Sequence, residues 1–163
     1  MDTIETIIPD DKGNYLVVVL NFYDDIDKAE VFQIPEELAN FEIADINIQK
    51  KQLDQPLAPK AFFRMCDWLI SQFCLYPKAV FSFICSISEL GVRGSRWRPE
   101  EYRWNLFEVL FRRKQPELDS RNIRFLDIIV GPEGYQTYGK IFFRDRHYAV
   151  VNLVESHLVN KYV

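Results

Sequence analysis

Apolar residues first alternate and then cluster along this chain. "TIETII" (3–8) reads as a short strand, and "PDDKGN" (9–14) follows it with turn chemistry: proline, two aspartates, then Gly-Asn. "YLVVVLNFY" (15–23) is apolar on both alternating faces and rich in β-branched and aromatic residues, as a central strand is. "DDID" (24–27) reads as a turn and "KAEVFQI" (28–34) as a returning strand, so that 15–34 is expected to be a hairpin closed by Pro35. "FEIADINIQ" (41–49) is a third, less regular strand.

The period then changes. "LDQPLAPK" (53–60) reads as a crossover, and Pro59 suits the first turn of a helix. Over 60–76, Phe62, Cys66, Leu69, Ile70 and Phe73 form one stripe, the spacing of a helix packed on a sheet, closed by Pro77. "AVFSFIC" (79–85) is almost wholly apolar, which suits the middle of a sheet. A second helix is expected over 99–114, with Pro99, Glu100 and Glu101 at its start and three cations at its end. Its apolar stripe is Tyr102, Leu106, Val109 and Leu110. "IRFLDIIV" (123–130) is a strand and 131–139 a turn region. "KIFF" (140–143), "RDRH" (144–147) and "YAVVNLV" (148–154) read as a hairpin, with one helical turn in the tail. Helices inserted among largely antiparallel strands indicate an α+β fold, with two main helices on one sheet face.

At 163 residues the chain is expected to be a single domain over 1–163. Its net charge of −4 is uneven. Residues 1–60 hold thirteen acids and five bases, whereas 93–124 hold nine bases and five acids. A general polyanion binder would be basic overall, and the two regions are expected to neutralise each other in part. The three cysteines, Cys66, Cys74 and Cys85, sit in apolar contexts without a CxxC pair, and His147 and His157 are remote from them, so zinc has little support. Reduced cysteines, an acidic N-terminus without a signal pattern, and no apolar run near the roughly 18 residues of a membrane span point to the cytoplasm.

The sharpest chemical feature is "GVRGSRWRPEEYRW" (91–104), with four arginines, two tryptophans and a tyrosine. A loop between a strand and a helix N-terminus suits anions, and Arg93, Arg96 and Arg98 can grip phosphates. Trp97, Tyr102 and Trp104 can stack on bases or cover arginines. Mixed aromatic–arginine segments are equally the material of protein–protein contacts. The expected binding surface is Arg93, Arg96, Trp97, Arg98, Tyr102 and Arg103. The favoured partner is a protein or a second copy of the chain, with nucleic acid or another phosphate ligand as the alternative, and no membrane contact. "ELGVRGSRW" has neither the GxGxxG nor the GxxxxGK[ST] spacing of a phosphate cradle. No catalytic residue, metal or cofactor is assigned. His147 is expected in a surface turn, Ser156 lacks a nucleophile elbow, and Cys85 is expected to be a core residue at the carboxyl end of its strand.

The segment "AVFSFICSISELGVRGSRWRPEEYRWNLFEVLF" resembles the centre of a family of small uncharacterised proteins from Bacteroidetes, matched at Phe83-Ile84-Cys85, Arg103 and Phe107. That family has no assigned function, so the resemblance implies none. The element order from residue 41 also resembles the second half of the N-acetyltransferase superfamily. Such enzymes bind the pyrophosphate of the cofactor through a glycine-containing loop before the central helix. "QPLAPKAF" stands there instead, with no glycine between 53 and 76, and proline removes backbone donors. This resemblance therefore implies an acyltransferase-like fold without coenzyme A binding.

Overall fold

A computed structural model describes residues 2–33, 40–51, 58–85, 108–130 and 137–162. The fold is α+β. Strands β1 (Asp2–Pro9), β2 (Tyr15–Phe22), β3 (Glu42–Lys51), β4 (Ala79–Cys85), β5 (Ile123–Val130) and β6 (Thr137–Arg144) form one sheet in the order β1-β2-β3-β4-β6-β5. All neighbours are antiparallel except β3 and β4. That parallel pair needs a long crossover, which helix α2 (Pro59–Leu75) provides.

Successive residues of a strand face opposite sides, and the core divides accordingly. Leu16, Val18, Leu20 and Phe22 of β2, with Phe81 and Phe83 of β4 and Phe142 of β6, are buried on one face beneath α2. Met65, Cys66, Leu69, Ile70 and Phe73 of α2 meet them, which is the stripe its sequence presents. Residues 108–113 are helical (α3) and lie on the same side, adding Leu110 and Phe111 to this cluster. Val109, expected on the inward stripe, is 51% exposed, because Leu110 and Phe111 take the inward positions. A short helix α4 (Gln115–Ser120) follows and buries Leu118.

The opposite face corrects two expectations. The returning strand expected over 28–34 is, within the described residues, helix α1 (Asp25–Phe32). The "DDID" segment starts it, since the Asp24 carboxylate accepts a hydrogen bond from Asp27 N at 2.8 Å. Asp25 and Asp27 occupy the first turn, where carboxylates suit the helix dipole, and Gln33 ends the helix in the left-handed region at φ 53°. The hairpin is instead β1–β2, closed by residues 10–14. Residues 148–154 are not a strand either, but open helix α5 (Tyr148–Tyr162) after a 3-10 turn at Asp145–His147. Val150, Val151, Val154 and Leu158 of α5 and Phe32 of α1 cover Ile43, Val80, Ile141 and Phe143.

This second layer stops short of the far side of the sheet. β1 and β2 place no residue in the second core cluster, and Val17 and Val19 stay half-buried while Ile7 is exposed. The hydroxyls of Tyr23 (2.5 Å) and Ser82 (2.6 Å) donate to the Asp45 carboxylate. That row separates the covered part of this face from the open part.

Candidate functional site

The arginine–tryptophan stretch leaves the end of β4 and rejoins the described chain at Glu108. Its six expected contact residues, Arg93, Arg96, Trp97, Arg98, Tyr102 and Arg103, lie outside the described residues, as does Trp104. Cys85 ends β4, and its side chain lies outside them too.

The root of that stretch is described, and it holds a buried lysine. Lys140 faces the α2 side between Phe83 and Asp127, its register partners on β4 and β5. Its side chain is fully buried. Nζ donates to Glu108 Oε2 at 2.6 Å and to Asp127 Oδ1 at 2.5 Å, and it lies 4.7 Å from the centre of the Phe125 ring. Arg112 donates from Nε to Glu108 Oε1 at 2.9 Å. Two cations and two carboxylates thus balance one another at the carboxyl end of β4. Burial pushes the Glu108 carboxyl up, but Lys140 and then Arg112 outweigh it and hold the group below its ordinary range. Chemically this is a hydrogen-bonded anchor that ties the first described turn of α3 to β5 and β6.

A second polar cluster joins β6 to the end of α2. The last carbonyls of a helix lack partners within it. Arg144 supplies them, donating to Phe73 O at 2.7 Å and Tyr76 O at 3.3 Å while its guanidinium stacks 4.2 Å from the Phe73 ring centre. Arg146 Nη2 donates to Pro77 O. His147 was expected on the surface and is 1% exposed. Its place in the 3-10 turn points it inward, with its ring edge-on to Phe41 at 4.7 Å and Nε2 accepting from Arg146 Nε at 3.2 Å. Nδ1 has no hydrogen-bond partner among the described residues. Burial first, then the charges of Arg146 and Arg144, lower its pKa to about 4. His157 instead sits on α5, edge-on to Phe32.

The acidic turn after β1 is structural. Asp10 is fully buried and accepts from Lys12 N, Asn14 N, Asn14 Nδ2 and Ala58 N at 2.7–3.1 Å. Burial pushes its carboxyl up, and these four bonds outweigh that and hold it at about 2. Asp11, at φ 69°, is gripped by Arg64 and Lys60 of α2 at 2.9 and 2.6 Å. The expected neutralisation between the acidic N-terminal region and the basic segment does not occur among the described residues. Lys114 pairs with Asp67, Arg121 with Glu117, and Arg124 with Asp119 and Asp145.

Two of the cavities lie among the described residues. One, of about 10 Å³ among Ile46, Phe73, Phe111 and Leu118, is an apolar packing gap at the lower limit for a single water. The other is open, about 330 Å³, and lined by Asp2, Ile4, Phe22, Asp25, Glu42 and Tyr76 with Tyr23 and Lys28. Among the described residues no three of His, Cys, Asp and Glu meet as metal ligands. Cys66 is buried, which first of all, with Asp67 adding to it, raises its thiol to about 12, too high for a nucleophile at neutral pH. Among the described residues no helix is long and apolar enough to cross a membrane.

Neither a protein-family model nor a curated protein matches this chain.

Proposed function

We propose that this protein is a non-enzymatic, cytoplasmic protein-binding module that meets its partner through Arg93, Arg96, Trp97, Arg98, Tyr102 and Arg103. The observation that carries this reading is the anchor at the root of that stretch. The chain enters it from β4 in the middle of the sheet and leaves it at Glu108, which the buried Lys140 holds at 2.6 Å. Fixing the two ends of a binding segment lowers the entropy that it loses on association. The arginine and tryptophan content matches the residues that dominate interface energetics.

The test is native mass spectrometry of gently purified protein, followed by affinity measurements on the captured species. A protein partner should stay bound as salt rises, and R96A/R98A should weaken it only in part. A phosphate or nucleic-acid ligand would instead be lost steeply with salt and abolished by R96A/R98A. Thermal stabilisation by millimolar acetyl-CoA would point to an acyltransferase-like site and overturn the reading.

A further inference from the structure

We propose that the free edge of β1 is a second docking surface, which captures a basic, extended peptide segment as a seventh strand. β1 is an outer strand of the sheet. It pairs with β2 over eight residues, Asp2↔Phe22 to Pro9↔Tyr15, with no bulge. Natural edge strands are blunted by lysine, bulges, inward charges or shortness. β5, the other edge, carries Arg124 and Asp127, both tied into ion pairs. β1 has Pro9, at its very end, and the acids Asp2 and Glu5, and no described residue pairs with its outer row of backbone donors and acceptors.

The surroundings select the occupant. Arg64 of α2 donates to Pro9 O at 2.8 Å, which sets that flank of α2 beside the end of β1. Trp68, one helical turn on, shares the flank and is half-buried against the core. Ile4 and Thr6 are half-buried on the same side. A strand added outside β1 therefore turns alternate side chains toward an apolar shelf of Ile4 and Trp68. The strand itself carries only negative charge, and the cations beside its Pro9 end, Lys60 and Arg64, are taken up by Asp11. Residues 2–9 contain Asp2 and Glu5 and no cation, and the open cavity at the Asp2 end adds Asp25 and Glu42 beside Lys28. A parallel pair of β1 strands from two copies would set these carboxylates against each other, and an antiparallel pair would offer them no cation, so a basic strand is the better occupant. A strand alternating β-branched residues with lysine or arginine satisfies both the shelf and the charge.

This inference is independent of the arginine–tryptophan reading. The test is a random-peptide display selection on the full chain, with the selected peptides then titrated by NMR. The expected winners alternate Lys or Arg with Val, Ile or Thr. Their binding should slow amide exchange in β1, and D2K/E5K should weaken them about tenfold, equivalent to ~1.4 kcal/mol. R96A/R98A should leave them unchanged. Both D2K/E5K positions are exposed, so the variant should keep its fold, and its NMR spectrum checks this. Four outcomes would overturn the proposal: the β1 amides that point away from β2 already protected in the free protein, winners without basic residues or no winners at all, a dimer paired through β1, and loss of binding in R96A/R98A but not in D2K/E5K.

Discussion

Lys140 Nζ stands 2.6 Å from Glu108 Oε2, so a fully buried cation on β6 holds the first described turn of α3. Removing the lysine leaves Glu108 and Asp127, whose side chains are 17% and 39% exposed, short of a partner, at a cost of up to about 3–5 kcal/mol, that of a broken buried pair. K140M should therefore destabilise the protein by that order in urea unfolding. E108Q/K140M/D127N, which removes the buried lysine with both of its carboxylates and leaves only the exposed Arg112, should recover most of the loss. Equal stability of the two variants would show that the carboxylates reach water without the lysine.

Arg144 takes the place of an ordinary helix cap. Its fork reaches Phe73 O and Tyr76 O from a neighbouring strand, and charge-assisted bonds of this kind contribute about 1.5–3 kcal/mol. R144A should cost about that much, and R144K should recover only part, because an ammonium lacks the planar fork and the stacking on Phe73. Amide exchange should quicken first around residues 73–77. Uniform quickening along all of α2 would refute a role confined to its end.

His147 makes the fold acid-sensitive. Its folded pKa is about 4, against an ordinary value of 6.5, so the unfolded chain binds the proton more readily. The contribution is fully present above pH 6.5 and is lost as pH falls toward 4. At about 1.4 kcal/mol per pH unit, the loss totals roughly 3 kcal/mol. An NMR titration should find the imidazole still neutral at pH 5. H147F keeps the aromatic contact with Phe41 and removes the unpaired Nδ1, and should flatten stability between pH 6.5 and 4. A midpoint near 6.5 would mean that the ring is solvated.

Much of the fold is legible before any coordinates. Five of the six strands and α2 are legible with nearly their final bounds, because alternation, apolar runs and flanking prolines mark them. The two errors share one cause. Both 28–34 and 148–154 are rich in β-formers, and that composition overrode the period. Asp24 before Phe32, and Val150, Val151, Val154 and Leu158 at helical spacing, carry the correct signal. The anchor is harder to read. Lys140 beside "IFF" looks like the polar start of a strand, yet it alternates with Phe142 and so must face inward. Its partners, 13 and 32 residues away, leave no local trace. His147 fails for a related reason: a polar residue in "RDRH" suggests a surface turn, and only the packing of Phe41 against it reverses that.

Asp10 ties the β1–β2 turn to the entry of α2, since one carboxylate accepts from Asn14 and from Ala58. Its removal should loosen both at once. D10A should lower Tm and raise amide exchange at 10–14 and at the first turn of α2 together. D10N is the sharper test. It keeps the shape of the side chain but turns one oxygen into an NH2 group. Oδ2 faces Asn14 Nδ2 and Ala58 N, and Oδ1 faces Lys12 N and Asn14 N. All four partners are donors, so the amide nitrogen meets donors whichever way it flips. D10N should therefore lose nearly as much Tm as D10A. The charge has a pH signature as well. With the folded carboxyl at about 2 and its ordinary value at 3.8, the stabilisation is present above pH 3.8 and fades as pH falls toward 2. Wild type should lose more stability than D10N through that window, since Asp11 and Glu108 titrate in both. A D10N variant that melts with wild type would show that shape, rather than the acceptor pair, holds the turn.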